Sequence, residues 1–110
     1  MTVHELKIAL LGHDEYDKVY VPEGYLVSYL TIDSIYSRNG EVVLQSNEIE
    51  DTLEYSLRAG YILHCLEWFD EDMEVCLMEC DEDNDYTFYD IDGCGEDNNN
   101  NIYLEISSRD

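Results

Sequence analysis

Twenty-seven Asp and Glu stand against five Lys and Arg, so a chain of 110 residues carries a formal charge of −22. Any compact state must hold that charge together, because like charges at this density repel one another and oppose folding. A chain with such a charge and few apolar groups stays disordered, since it cannot bury enough surface to offset its own entropy. This chain is 45 % hydrophobic, with ten Tyr, two Phe, one Trp and a single Pro. That supply fills a core for one domain of this length. The expectation is a folded protein with an acidic exterior.

The charge is uneven. The first sixty residues hold four cations and eleven acids, a balance of −7, and the last fifty hold one and sixteen, a balance of −15. A salt-adapted surface would be acidic throughout, so the lopsidedness points instead to a partner of opposite sign. Five dispersed cations cannot neutralise a phosphate track, which excludes direct nucleic-acid binding. No run reaches the ~20 apolar residues of a membrane span, and the start does not read as a signal peptide. Cys65, Cys76, Cys80 and Cys94 lack the spacing of a secreted disulfide framework, so reduced thiols in a cytoplasm are expected.

Local patterns predict an α+β fold written twice. Thr2 with Glu5 forms a capping box, Val3, Leu6, Ala9 and Leu10 recur at helical spacing, and Gly12 stands where that helix should end. Val19 and Val21 alternate as a half-buried strand does, with Tyr20 on the other face. Pro22-Glu23-Gly24 breaks the chain, and residues 25–32 read as a second strand. Asn39-Gly40 is the signal for a type I′ hairpin turn, with residues 41–45 as the return strand. Asn47 with Glu50 is another capping box. Ile49, Leu53 and Leu57 recur every four residues, predicting a helix that continues through Tyr61, Ile62, Leu66 and Phe69 with a kink at Gly60. Strands follow at 73–78, 86–91 and 101–106, with a polar loop at 98–101.

Three landmarks recur in order. An acidic turn leads into Val19-x-Val21 and into Val75-x-Leu77. An Ile-Asp step stands at 32–33 and 91–92. A terminal strand runs through Val42-Val43-Leu44 and through Ile102-Tyr103-Leu104. The offset drifts from 56 to 59 to 60, as small insertions would produce. The expected organisation is a first α-β-β-β copy over 1–46, a linking helix over 47–58, and a second, strongly acidic copy over 59–110. The helices would pack on an antiparallel sheet in one compact unit.

Thr2-Val3-x-Glu5-Leu6, the acidic turn, Val19-x-Val21 and Ile32-Asp33-x-Ile35 resemble a group of small phage and prophage proteins with this helix–strand beginning, over about residues 2–46. In size and acidity the chain is similar to phage inhibitors that imitate DNA, including anti-CRISPR and anti-restriction proteins. That resemblance implies an inhibitor in the host cytoplasm that blocks the DNA- or RNA-binding site of a defence complex.

The residues fit such a role. Duplex DNA presents one negative charge per ~1.7 Å of axis. Asp70, Glu71, Asp72, Glu74, Glu79, Asp81, Glu82, Asp83, Asp85, Asp90, Glu96 and Asp97 are the candidates to stand in for phosphates. Tyr86, Phe88 and Tyr89 lie among them as aromatic anchors. The partner would be a basic nucleic-acid-binding protein, with monomer and dimer both open. Catalysis finds no footing: His4, His13 and His64 have no evident nucleophile partner, and phosphate loops and zinc-protease motifs are missing. No cofactor is expected.

Two other readings compete with the mimic. Asp81, Asp83, Asp85 and Asp92 stand at positions 1, 3, 5 and 12 of a calcium loop. Tyr86, however, occupies position 6, where the sharp turn needs Gly. A calcium-binding or structural phage accessory protein is the alternative, together with an inhibitor acting away from the nucleic-acid groove. Zinc on Cys76, Cys80, Cys94 and His64 meets a distance problem, since residues four apart on one strand lie ~13 Å apart.

Overall fold

In the computed structural model, which describes residues 1–22, 29–46, 49–50, 53–80, 83 and 85–109, Thr2 starts the first helix as its sequence demands. Its Oγ1 accepts from the Glu5 N–H at 3.2 Å, and its own N–H donates to Glu5 Oε1 at 3.0 Å. These bonds favour the charged carboxylate, so the Glu5 pKa lies below its ordinary value. Helix α1 runs Val3–Leu11 and closes at Gly12, burying Val3, Leu6 and Leu10.

Strand β1 (Val19–Pro22) is buried on both faces at Val19, Tyr20 and Val21, where alternation predicts a half-buried strand. Tyr20 packs edge-on against Tyr29 with ring centroids 5.0 Å apart. The strand expected over 25–32 appears as β2 (Tyr29–Thr31), while residues 23–28 lie outside the described ones. Strands β3 (Ser34–Arg38) and β4 (Glu41–Ser46) meet at Asn39-Gly40. Both turn residues have positive φ, 53° and 82°, as a type I′ turn requires.

The described residues of 47–58, which are 49–50 and 53–58, do not form the helix expected there. Ile49–Glu50 is a short strand, β5, paired with β2, and helix α2 spans only Ala59–Leu66 behind Arg58, which makes no side-chain cap. Asn47 lies outside the described residues. Among the described residues a helical spacing appears here at Ala59, Ile62 and Leu66, three and then four residues apart and all buried. Leu57, read as helical, instead bridges strands: its N–H donates to Ile32 O at 3.0 Å and its carbonyl accepts from Val19 N–H at 3.0 Å. Gly60 makes no kink. Its N–H donates to Glu15 O at 2.8 Å, and a Cβ there would lie 3.0 Å from Glu15 Cβ and O.

Strands β6 (Val75–Cys80), β7 (Tyr86–Glu96) and β8 (Ile102–Ser108) follow. The fold is α+β: among the described residues, two helices and eight strands in one mixed sheet of order β3-β4-β6-β7-β8-β1-β2-β5. The sheet is not purely antiparallel, because β4 runs parallel to β6 and β1 parallel to β8.

The two ends of that order belong together. Tyr29 faces Glu50 and Leu30 faces Ile49, while Ser34 faces Gln45 and Arg38 faces Glu41, all in one unbroken register. β2 and β3 are therefore two halves of one strand bent at Ile32-Asp33, and β4 and β5 pair with its two halves in the same register. One half of the hairpin pairs with β1 and the other with β6, so the sheet curls round on itself with staggered strands, as barrels do. In β7 the register shifts between Ile91 and Gly93, so the second Ile-Asp step also marks a bend.

Inward residues from β1, β2, β4, β6, β7 and β8, with the buried stripes of both helices, form one core around Leu6, Leu10, Ile32, Leu44, Ile62, Leu66, Leu77, Ile91 and Leu104, and Ile35 of β3 packs against it. Burying a side chain of this size contributes ~1.5–3 kcal/mol. A smaller cluster on the outer face joins Val43, Cys76 and Met78 with half-buried Tyr36 and Phe88. Ser56 is buried at the corner, where its hydroxyl donates to Val19 O and accepts from Ile32 N–H at 2.9 Å.

Certain backbone bonds recur in the two halves at the same spacing. Val3 N–H donates to Met73 O, and Ala59 N–H to Asp17 O, each at 2.8 Å. His4 N–H reaches Glu71 O, and Gly60 N–H reaches Glu15 O. Val75 N–H reaches Met1 O, and Val19 N–H reaches Leu57 O. Thr2 bridges Glu74 as Lys18 bridges Arg58. Within every such pair the corresponding residues stand 56 positions apart.

Candidate acidic binding site

The parallel pairing of β4 with β6 sets the start of β4 beside the loop that enters β6, and Val42 N–H donates to Glu74 O at 2.9 Å. A shallow groove of about 550 Å³ lies there, lined by Gly40, Glu41, Asp70, Glu71, Asp72, Met73 and Glu74. Four of the twelve carboxylates singled out from sequence thus converge, and Glu41 joins them from the hairpin. Glu41 sits at the far side of a turn some thirty residues upstream, so only the parallel pairing reveals it.

The groove is braced from behind by the start of the chain. The Met1 ammonium meets Glu74 Oε2 at 3.2 Å, and His4 Nδ1 and Lys7 Nζ stand 3.4 and 3.7 Å from Glu71. Asp70 and Asp72 are exposed. Two residues before Asp70 in the chain, Trp68, the lone Trp, is 80 % exposed. Sequence reading passed it over; its position two residues before the acidic run was the available signal.

The remaining candidates lie elsewhere. Glu79 stands near the far end of β6, ~13 Å along the strand from Val75 at ~3.3 Å per residue. Its carboxylate accepts from Tyr89 OH at 3.1 Å. Asp83 and Asp85 are exposed beyond that end, and Asp81 and Glu82 lie outside the described residues. Asp90 faces outward on β7 and holds Arg109 Nε at 2.8 Å. Glu96 and Asp97 close β7 at its other end. Burial raises the Asp97 carboxyl, but bonds from Asn101 N–H, Tyr20 OH and Asn99 N–H outweigh it and leave the pKa lowered. The twelve carboxylates therefore divide among separate places on the surface.

The proposed aromatic anchors divide too. Tyr86 is exposed, whereas Phe88 packs on the outer cluster under the Arg38 guanidinium, 5.4 Å from its ring centroid. Tyr89 packs against the main core. The calcium loop read over 81–92 is instead strand from Tyr86 onward, so Asp92 is carried ~23 Å from Asp85 rather than wrapped back toward it. Cys76 and Cys80 share strand β6. Burial pushes the Cys76 thiol up to about 11, which keeps it protonated and unreactive at neutral pH.

All five cations are engaged. Lys7 meets Glu71, and Lys18 Nζ donates to the carbonyls of Glu54 and Ser56 at 3.0 and 2.9 Å. Arg38 lies over Phe88 and Arg58 over Tyr16. Arg109 clamps Glu41 through both Nη atoms while Nε holds Asp90. The Arg109 bonds hold the Glu41 carboxyl below its ordinary pKa. No helix among the described residues is long and apolar enough to cross a membrane. Comparison with protein-family models, with curated proteins and with solved structures finds no match for this chain.

Proposed function

We propose that this protein acts stoichiometrically as an acidic mimic of nucleic acid, occupying the DNA- or RNA-binding groove of a basic protein such as a CRISPR effector or restriction enzyme. One observation carries the reading. The body measures 34 × 31 × 21 Å and bears −22, and 34 Å of duplex bears about 20 negative charges at one per ~1.7 Å. The protein therefore offers a basic groove the charge of roughly one helical turn of DNA. The −22 already subtracts the five cations, so the field that a partner meets remains strongly negative with every one of them in place. A groove lined by five carboxylates, with an exposed Trp two residues before Asp70 in the chain, supplies close contacts, which set affinity once long-range charge has speeded encounter.

The test is competition. The protein should displace duplex DNA from a basic partner with an affinity that falls steeply with salt. Replacing Asp70, Glu71, Asp72 and Glu74 by Asn and Gln should cost at least tenfold more affinity than replacing Asp83, Asp85, Asp92 and Glu105, at equal change in net charge. Trp68→Ala should add a loss of about 2 kcal/mol or more. Equal losses from the two quadruple variants would mean bulk charge alone matters, and no loss from either would remove the mimic.

We infer further that the two halves are tandem copies of one α-β-β-β unit. The backbone bonds repeating 56 positions apart support this, as do the bends at both Ile-Asp steps. So do the two parallel contacts, β4 with β6 and β8 with β1. On this reading the first copy kept the weaker charge, −7 over the first sixty residues, while the second gathered −15 over the last fifty.

A further inference from the structure

We propose that His13, Asp17 and Glu96 form a binding site for a divalent transition-metal ion of the Zn²⁺ or Mn²⁺ class. Among the described residues, these three offer one ligand atom each with all three atoms within 4.8 Å of one another. His13 Nδ1 stands 3.6 Å from Glu96 Oε2. Two ligands on one ion at ~2.0–2.2 Å bonds stand ~3–4 Å apart, so that pair is already at bonding separation. Bringing the Asp17 carboxylate from at most 4.8 Å into that range takes a shift of roughly 1–2 Å.

The three residues come from two distant stretches. His13 and Asp17 lie in the loop between α1 and β1, and Glu96 ends β7. Each backbone is pinned independently of any ion. His13 N–H donates to Leu10 O at 3.1 Å, and the Asp17 carbonyl accepts from Ala59 N–H at 2.8 Å. The turn after Glu96 is locked by Asp97, whose carboxylate accepts from Asn99 N–H, Asn101 N–H and Tyr20 OH. The His13 side chain is only 16 % exposed, so the imidazole sits against the protein rather than sampling solvent.

The donor set chooses the class of ion. Ca²⁺ and Mg²⁺ take oxygen ligands, whereas an imidazole beside carboxylates suits Zn²⁺ and its first-row neighbours. Two carboxylates and a neutral imidazole carry −2, which the ion cancels in an otherwise negative field. Three protein ligands leave a position for water. The ion would tie the α1–β1 loop to the β7–β8 turn, which are not linked by a short stretch of chain.

Titration calorimetry of the full chain, stripped of metal and held in excess Mg²⁺ to occupy diffuse carboxylates, tests the site with ZnCl₂ and with MnCl₂. One ion should bind per chain and should raise the melting temperature. His13→Gln leaves the formal charge unchanged, so a tenfold or greater loss of affinity in that variant reads the ligand and not the field. Glu96→Gln should weaken binding by a similar factor, while Glu105→Gln, with the same change in charge, should not. Unaltered affinity in His13→Gln, or displacement of the ion by Mg²⁺, would overturn the proposal.

Discussion

Ser56 shows how much a single polar atom holds in this fold. Its hydroxyl serves two backbone groups at the bend of the hairpin, Val19 O and Ile32 N–H, in a place closed to water. Ser56→Ala removes one side chain but strands two partners, and each buried group left unmet costs ~1–3 kcal/mol. We expect a loss of about 2–4 kcal/mol in denaturant unfolding, large for so small a change. Glu41 illustrates the opposite regime. Arg109 lowers its pKa below the unfolded value, so the pair stabilises above the unfolded pKa and fades as pH falls through the folded one. With both side chains about 30 % exposed, solvent screening holds that contribution to about 0.5–1 kcal/mol. Glu41→Gln should therefore lower stability at pH 7 by this amount and converge with the parent protein once pH falls below the folded pKa of Glu41, as acid titration of unfolding would reveal.

At the scale of elements, helix α2 is set by contact rather than by propensity. Replacing a helical Gly with Ala ordinarily gains ~0.8–1 kcal/mol. At Gly60 the new Cβ would meet Glu15 Cβ and backbone O at 3.0 Å, and the shift this forces costs ~1–3 kcal/mol. Strain should win, so Gly60→Ala is expected to lower the melting temperature. The same contrast explains what was legible in the sequence. The Thr2–Glu5 cap and the Asn39-Gly40 turn were readable because the bonds that fix them are local. Residues 47–58 were misread because Ile49–Glu50 is held by β2 and Leu57 by Ile32 and Val19, partners that no local period reveals. Of the candidate site, the acidic run at 70–74 stood out as composition. Glu41 came to it only through the parallel pairing of β4 and β6, and Trp68 was hidden by its look of a core residue.

For the molecule as a whole, charge acts with opposite sign on stability and on binding. At 0.01 M salt the Debye length is ~30 Å and charges across the whole 34 Å body feel one another. At 0.15 M it is ~8 Å and only neighbours do. Adding salt should therefore raise the melting temperature, by about 4–8 °C for each kcal/mol of repulsion relieved, while weakening any complex with a basic partner. A melting temperature that falls with salt would show that attractive pairs, not self-repulsion, dominate the fold. The curled sheet carries a further consequence, for time rather than for energy. Its closing contacts join Val19 to Ile102 and Met1 to Val75, so the chain must bring remote segments together before the last strands are rewarded. Folding should be slow for the size, in the range of milliseconds to seconds. A backbone cut in the turn at residues 53–56 should yield two pieces that acquire structure only when mixed.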